Sequence, residues 1–392
     1  MAKKKSPAAK DKTRISVFVG TDKGGFIFTS DRSRKEWKMS GPHFKGASVM
    51  HINLDPRDRR LHAATAHFVY GHSTHYSDDF GKTWAQAKVN AALLKPSTSG
   101  RPLGSPEDFT HAEQIAKEPE QVIKTWNIQP GRASEPNVLY AGVQPAALFK
   151  STDRGETWEL NEALYNHPHR GQFNPGAGGL CLHTIILDPN DVNRMYVAIS
   201  AGGFYRSDDG GQTWQARNKN LLADFSPVKY PEFGQCVHKV DMHPARPNVL
   251  YQQNHCGVYR SDDFGDNWID TGLDRLPSRF GFPVVVHPHD PKTVYHVLED
   301  SQEYRLSVDG KFSVWRSKNS GDSWKRLSNG LPQNAYLTIL REAMAADTLD
   351  DAGLYVGSNT GQLFYSRDEG DSWEVLADFL PPIQSVETAV IN

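Results

Sequence analysis

Two Cys-x-His pairs are prominent among the residues whose types and spacing could do chemistry. They are Cys181-x-His183 and Cys236-x-His238. If each pair lies on a β-strand, the spacing of two residues places its thiol and its imidazole on the same face. Zinc binds thiolates and imidazoles, so adjacent strands could supply two or three ligands, with His255 on a nearby loop as a further one. A divalent metal is the one cofactor that this pattern suggests, and packing of the cysteines in the core is the alternative.

A group of residues of mixed charge falls at the beginnings of several predicted inner strands, at one expected level. We expect these side chains to point into one central opening, where imidazole and carboxylate groups do acid–base chemistry and arginine holds negative charge. Such groups are costly to bury unless they meet a ligand, water or one another, and simple solvation in a polar channel is the alternative. The predicted catalytic residues are His183, His238, Arg341 and Glu387, and the predicted substrate-binding residues are His51, Lys124, His169, Arg170 and His255.

A glycine-rich segment, residues 167–180, leads directly into His183. It lacks the Gly-Lys-Ser/Thr sequence of a phosphate loop. Glycines let backbone approach a ligand closely, and Arg170 beside His169 could hold an anion such as a carboxylate. The alternative is a flexible loop on the rim of the fold.

The elements that must position these residues follow from a repeated motif, Ser-x-Asp-x-Gly-x-Thr/Ser-Trp. It is complete at residues 77–84, 151–158 and 207–214. Aspartate at the third position can accept turn amides, and glycine at the fifth allows positive φ, so we expect the motif to be structural rather than catalytic. A motif that recurs roughly every 50 residues indicates one stacked supersecondary unit. Further copies end at Trp37, Trp268, Trp324 and Trp373.

Each unit contains four short predicted strands, separated by turn residues. The first unit begins at residues 14–20 with its second strand, and residues 383–391 form a surplus strand at the other end of the sequence. The sequence therefore predicts an all-β fold, a seven-bladed β-propeller of four-stranded antiparallel blades. The C-terminal strand is predicted to complete blade one and to close the ring, which removes exposed sheet edges. Residues 14–392 would then be one domain.

The repeated motif resembles the Asp-box, or BNR repeat, of sialidases and related β-propellers. With residues 178–183 and 280–283, the chain is similar to bacterial BNR-repeat proteins of the sialidase-like or glycosyl-hydrolase-like kind. This resemblance implies a hydrolase that acts on a carbohydrate, or on another small polar or anionic substrate, in an axial pocket. Sialidases have six blades and an early arginine motif that this sequence lacks, so sialidase activity itself is not expected. A glycosidase needs two carboxyl groups, and Glu387 is one candidate, with Glu342 or Asp108 as the second.

The sequence allows two other functions. The chain is also similar to the seven-bladed assembly-factor propellers of photosynthetic organisms, which bind protein without catalysis. A non-catalytic propeller that binds a protein or a ligand is therefore one alternative, and a metal-dependent site on the Cys-x-His pairs is the other.

Composition narrows the classes of partner. The 392 residues carry a formal charge of −2, which favours neither nucleic acid nor an acidic membrane surface. No apolar run is long enough to span a bilayer, so no membrane contact is expected. Residues 1–13 are rich in lysine and lack the apolar region of a signal peptide, and we predict a disordered tail. Three cysteines form no disulfide framework, which predicts a cytoplasmic protein with reduced thiols.

Overall fold

Several strands are buried along almost their whole length, and one strand of each blade runs into a repeated box turn. A computed structural model describes residues 13–93, 121–174, 176 and 178–391. Apart from Thr13, the predicted N-terminal tail lies outside the described residues, as does the candidate carboxylate Asp108. Within the described residues, 28 strands form seven four-stranded antiparallel sheets, so the predicted seven-bladed propeller is confirmed.

The innermost strand of each blade lies at the channel, and the second strand pairs with it. The innermost strands, in order of blade, are β28 (Ile383–Ile391), β4 (Ser48–Leu54), β8 (Lys124–Pro130), β12 (Leu182–Leu187), β16 (Val237–Met242), β20 (Phe280–Val286) and β24 (Met344–Ala346). The second strands are β1 (Arg14–Thr21), β5 (Leu61–His67), β9 (Leu139–Gln144), β13 (Met195–Ile199), β17 (Leu250–Asn254), β21 (Val294–Glu299) and β25 (Leu354–Gly357). Each innermost strand packs against the innermost strands of both neighbouring blades, so the seven surround one central channel.

The two outer positions run into and out of the box turns. The third strands are β2 (Gly24–Asp31), β6 (Gly71–Ser77), β10 (Ala147–Ser151), β14 (Gly203–Ser207), β18 (Gly257–Ser261), β22 (Val314–Ser317) and β26 (Leu363–Ser366). The outermost strands are β3 (Lys38–His43), β7 (Ala85–Gln86), β11 (Glu159–Leu160), β15 (Gln215–Ala216), β19 (Ile269–Asp270), β23 (Lys325–Leu327) and β27 (Glu374–Ala377). A one-turn helix, α1 (Glu162–Tyr165), and two 3₁₀ turns, Arg170–Gln172 and Val308–Gly310, lie in connections. No helix of the described residues is long and apolar enough to cross a membrane.

The C-terminal strand closes the ring. β28 pairs antiparallel with β1, with Phe18 opposite Glu387 and Val19 opposite Val386. Ile383 and Val386 are buried in the apolar core that blade one shares with blades six and seven. The predicted closure is therefore confirmed, and it fixes the position of Glu387 on the channel wall.

The box residues stabilise their own turns and tie neighbouring blades together. In blade two, the Asp79 carboxylate accepts hydrogen bonds from the backbone and hydroxyl of Thr83, at 2.8 and 2.6 Å. The pKa of Asp79 is lowered to about 2, and these two bonds are the largest causes. The box tryptophans reach the preceding blade, as where the Trp268 indole donates to the Arg217 carbonyl at 2.8 Å. The boxes therefore hold the blades in place around the channel.

Candidate functional site

A β-bulge in the innermost strands of blades two to five decides which side chains face the channel. In β16 the register with β17 passes from Val237 directly to Lys239, so His238 is the extra residue. The same shift occurs at Met50, Trp126 and His183. One extra residue changes the alternation of side chains by one position. Polar side chains after the bulge then face the channel at every second position.

These polar side chains line a cavity of about 570 Å³ in the channel. The volume lies within the range of pockets that hold small molecules. Its hydrogen-bonding lining includes His51, Asn53, Asn127, Gln129, Thr184, Lys239, Asp241 and Glu387. Amide, hydroxyl and charged groups together are suited to a ligand rich in hydroxyl groups.

Glu387 is held as a carboxylate in this cavity. The His51 Nδ1 atom accepts the Ile128 backbone N–H at 3.3 Å, so its Nε2 carries the proton and donates to Glu387 Oε1 at 3.1 Å. Burial alone would raise the pKa of Glu387, but the hydrogen bond from His51 and the positive charge of Lys239 give a net lowering. A base or nucleophile of this kind is ionised over most of the pH range.

The surroundings of Asp241 shift its pKa in the direction opposite to that of Glu387. Its two carboxyl oxygens accept the backbone N–H groups of Met242 and Val286, at 2.8 and 2.7 Å. Burial nevertheless raises the pKa of Asp241 above its ordinary value, and the negative charge of Glu387 adds to the rise. The cavity thus contains two carboxyl groups whose pKa values are displaced in opposite directions.

Lys239 connects the wall carboxylates. Its ammonium group donates to the buried Glu342, and the negative charge of Glu387 also acts on it. Burial would lower the pKa of Lys239, but these two carboxylates raise it overall. The lysine therefore stays charged and brings Glu342, one of the predicted second carboxylates, into the same electrostatic network.

A second, smaller pocket of about 160 Å³ lies at the channel mouth, where the innermost strands begin. We call it the mouth pocket. Arg341 lies in it between aromatic walls, with its guanidinium carbon 5.2 Å from the Trp126 ring centre and 6.0 Å from that of Phe282. Arg341 is 8% exposed, and it has no carboxylate partner in the part of the chain that the structure describes. A buried cation of this kind is a candidate for binding an anionic group.

The mouth pocket also contains a cluster of Cys236, His238 and His255, whose potential ligand atoms all lie within 4.8 Å of one another. Burial would raise the pKa of the Cys236 thiol, but the two imidazoles lower it to well below its ordinary value. Of the two Cys-x-His pairs, the pair Cys236 and His238 belongs to this cluster of potential metal ligands, and the pair Cys181 and His183 does not. The Cys181 thiol is buried beside Arg341, at 3.4 Å from Nη1.

The structure corrects the expected orientation of His183 and the expected level of Lys124. Both ring nitrogens of His183 are occupied inside the blade wall, by the Thr184 hydroxyl and the Val237 carbonyl, each at 2.9 Å. Lys124 precedes the bulge of β8 by two residues, and its ammonium lies 5.9 Å from the Trp126 ring. His183 is itself the extra residue of the bulge in β12, whereas Lys124 lies two residues before the equivalent position of β8.

His169 and Arg170 hold the rim loop against the outer part of the propeller. The His169 ring stacks on Phe233 at 3.9 Å, and its Nδ1 lies 3.0 Å from the Tyr205 hydroxyl. The Arg170 guanidinium donates to the Ala146 carbonyl. The predicted residues are thus divided: His51 and Glu387 share the channel cavity, whereas His238, His255 and Arg341 share the mouth pocket.

Lys239 and Asp241 were missed at the level of sequence, although a signal for them exists. In β16 they are polar residues two positions apart, and the same spacing separates Asn127 from Gln129 in β8. This alternation of polar residues inside the innermost strands marks the channel lining.

Comparison with known proteins supports the repeat and the fold. The BNR/Asp-box repeat model matches residues 75–86 and 205–216, so the chain is a seven-bladed propeller that carries BNR/Asp-box repeats. Among solved structures, an ancestral GH74 enzyme is 16% identical with a TM-score of 0.54, over 84% of this chain and 38% of that one. The periplasmic gluconolactonase PpgL of Pseudomonas aeruginosa is 11% identical with a TM-score of 0.56, over 96% and 99%. At these identities the likeness is one of fold.

Among curated proteins, the xyloglucanase Xgh74A of Acetivibrio thermocellus is 27% identical to this chain over 233 residues. The match covers 58% of this chain and 22% of the relative. The chain therefore spans about a fifth of the length of that enzyme.

Proposed function

We propose that the protein is a hydrolase that acts on a carbohydrate, or a similar small polar substrate, bound in the channel cavity. The observation that carries this proposal is the presence of Glu387 and Asp241 on the wall of one cavity, with pKa values displaced in opposite directions. Hydrolysis of a glycosidic bond needs one ionised carboxylate and one carboxylic acid. Where the surroundings lower the pKa of one carboxyl group and raise that of the other, the first serves as the carboxylate and the second as the acid.

In this mechanism Asp241, Glu387 and Lys239 have different roles. Asp241 is the acid, and it donates its proton to the leaving-group oxygen. Glu387 is the carboxylate that attacks the anomeric carbon or activates water, and the proton on His51 Nε2 keeps it oriented. Lys239 keeps its positive charge beside Glu387 and favours the ionised form.

The neutral lining of the cavity fits a sugar. Asn53, Asn127 and Gln129 offer amide donors and acceptors to hydroxyl groups, and Thr184 offers a hydroxyl. The similarity to a xyloglucanase supports a carbohydrate substrate, and oligosaccharides of xyloglucan are the first to try. That match covers only about a fifth of the enzyme, so the main argument for a carbohydrate substrate is the chemistry of this cavity.

The test is the release of reducing ends from a panel of oligosaccharides, including those of xyloglucan. Removing either acid–base group should lower kcat by about 10²- to 10⁴-fold, so Glu387→Gln and Asp241→Asn should both lose most turnover. Glu159→Gln, on the exposed outer strand of blade three, is the matched control and should keep full activity. Full turnover in either channel variant would contradict the assignment.

A further inference from the structure

Three side chains of the kinds that bind transition metals come together in the mouth pocket from separate parts of blade five. Cys236 precedes β16, His238 is the bulged residue of that strand, and His255 lies in the turn between β17 and β18. Their ligand atoms are within 4.8 Å of one another. Around a tetrahedral zinc ion with bonds of about 2.0–2.3 Å, the ligand atoms lie closer to one another than 4.8 Å. Small rotations of these three side chains would bring their ligand atoms to that spacing.

Both histidines already have the partners that orient a metal ligand. The Nδ1 atom of His238 donates to the Gly281 carbonyl at 2.6 Å, which leaves the Nε2 lone pair for the cluster. The Nε2 atom of His255 donates to the Gln302 side-chain oxygen, which leaves Nδ1. The Gln302 amide is itself fixed, because its nitrogen donates to Glu303 at 2.8 Å. Metal-binding histidines almost always donate their other N–H to such an oxygen.

The other two cysteines of the chain show what a packed thiol looks like here. Cys256 is 5% exposed, and its thiol contacts Asp224 at 3.0 Å. Cys181 is fully buried beside Arg341. Neither belongs to a group of three ligand-type side chains in the described residues, whereas Cys236 does and also faces a pocket.

We propose that Cys236, His238 and His255 bind one divalent transition-metal ion, of the Zn²⁺ type, at the channel mouth. Three protein ligands leave one tetrahedral position for water or a ligand atom, as in catalytic zinc sites. That position faces the pocket that contains Arg341, a buried cation without a carboxylate partner among the described residues. An anionic group, such as a carboxylate, would bind the metal and Arg341 together.

Metal analysis of the purified full-length protein tests this site directly. After removal of metal by a chelator and dialysis against Zn²⁺, the protein should retain about one ion per chain. Gln302→Leu removes only the hydrogen-bond partner of a ligand and should weaken zinc binding by roughly 10- to 100-fold. Cys236→Ser removes a ligand itself and should weaken zinc binding by more than that. Cys256→Ser, which keeps a hydroxyl for Asp224, is the matched control and should bind normally.

Replacement of Zn²⁺ by Co²⁺ adds a readout that does not depend on activity. A thiolate ligand should give a charge-transfer absorption band, which should be absent from Cys236→Ser and present in Cys256→Ser. Substoichiometric zinc in well-folded protein, or equal zinc affinity in Cys236→Ser and the unchanged chain, would overturn the proposal. Either result leaves the hydrolase proposal untouched, because that rests on Glu387 and Asp241.

Discussion

Replacing Lys239 with methionine should destabilise the propeller through the carboxylate that it leaves behind. The Glu342 side chain is 2% exposed, and its Oε2 accepts from the Lys239 ammonium. Its Oε1 has no partner among the described residues. Removing one member of a buried ion pair costs about 3–5 kcal/mol, because the remaining charge is neither paired nor hydrated. We expect a loss of this size in the free energy of unfolding.

The corresponding change in melting temperature follows from the length of the chain. Unfolding entropy is about 2.1 cal/mol/K per residue, which for 392 residues is roughly 0.8 kcal/mol/K. A loss of about 3–5 kcal/mol then lowers Tm by about 4–6 °C. Differential scanning calorimetry at neutral pH measures this shift.

The double variant Lys239→Met/Glu342→Gln separates two causes of instability, the unpaired charge of Glu342 and the loss of packing around residue 239. It should recover most of the lost Tm, since replacing a buried pair by uncharged groups is often close to neutral. Glu342→Gln alone should cost less than Lys239→Met, because the lysine is still near Glu387. Equal Tm losses in Lys239→Met and the double variant would refute this reasoning.

Three further predictions follow from the same structure. Burial raises the pKa of Glu299 to about 8, so the native state loses stability as the pH rises from 4.5, the ordinary pKa of this side chain, to about 8. Glu299→Gln has no carboxyl group to ionise. In denaturant titrations, its gain in stability over the unchanged chain should therefore grow from near zero at pH 4 to roughly 5 kcal/mol above pH 8. Deletion of Ile383–Ile391 removes the strand that closes blade one, and circular dichroism should show no cooperative melting, whereas a native-like transition would contradict the closure. Hydrolase activity should fall in acid as Glu387 is protonated below its ordinary pKa, and should fall again as pH rises through the raised pKa of Asp241; a profile without the second fall would exclude Asp241 as the acid.

The sequence predicted the fold well because the box motif reports on each blade separately. The spacing of the boxes gave the number of blades, and the surplus strand at residues 383–391 predicted the closure that pairs β28 with β1. Both signals are local in sequence, and the ring repeats one unit. The fold therefore required no knowledge of long-range contacts beyond the join.

The candidate site was predicted less completely, and the physical reason is the bulge. His51, Glu387, His238 and Arg341 were found as polar residues near strand starts, and each lines one of the two pockets. His183 was expected beside them, but it is the extra residue of its strand, and its ring lies in the wall between blades four and five. A bulge depends on packing across the blade, so the residues at the strand starts do not show where it falls.

The pairing of carboxyl groups also required the structure. Asp241 lies near the end of β16, and Glu387 lies in the C-terminal strand, far away in sequence. Only closure of the ring brings these two strands to the same cavity. The displacement of the two pKa values then arises from burial on one side and from His51 and Lys239 on the other.

We propose that the channel cavity binds and hydrolyses a carbohydrate between Asp241 and Glu387. A crystal structure of the Glu387→Gln variant soaked with an oligosaccharide of xyloglucan is the most direct test of this proposal. We predict ordered sugar in the cavity, with its glycosidic oxygen within hydrogen-bond distance of Asp241 and its anomeric carbon facing residue 387. Sugar bound only on the outside of the propeller, with the cavity holding solvent at saturating oligosaccharide, would contradict the account.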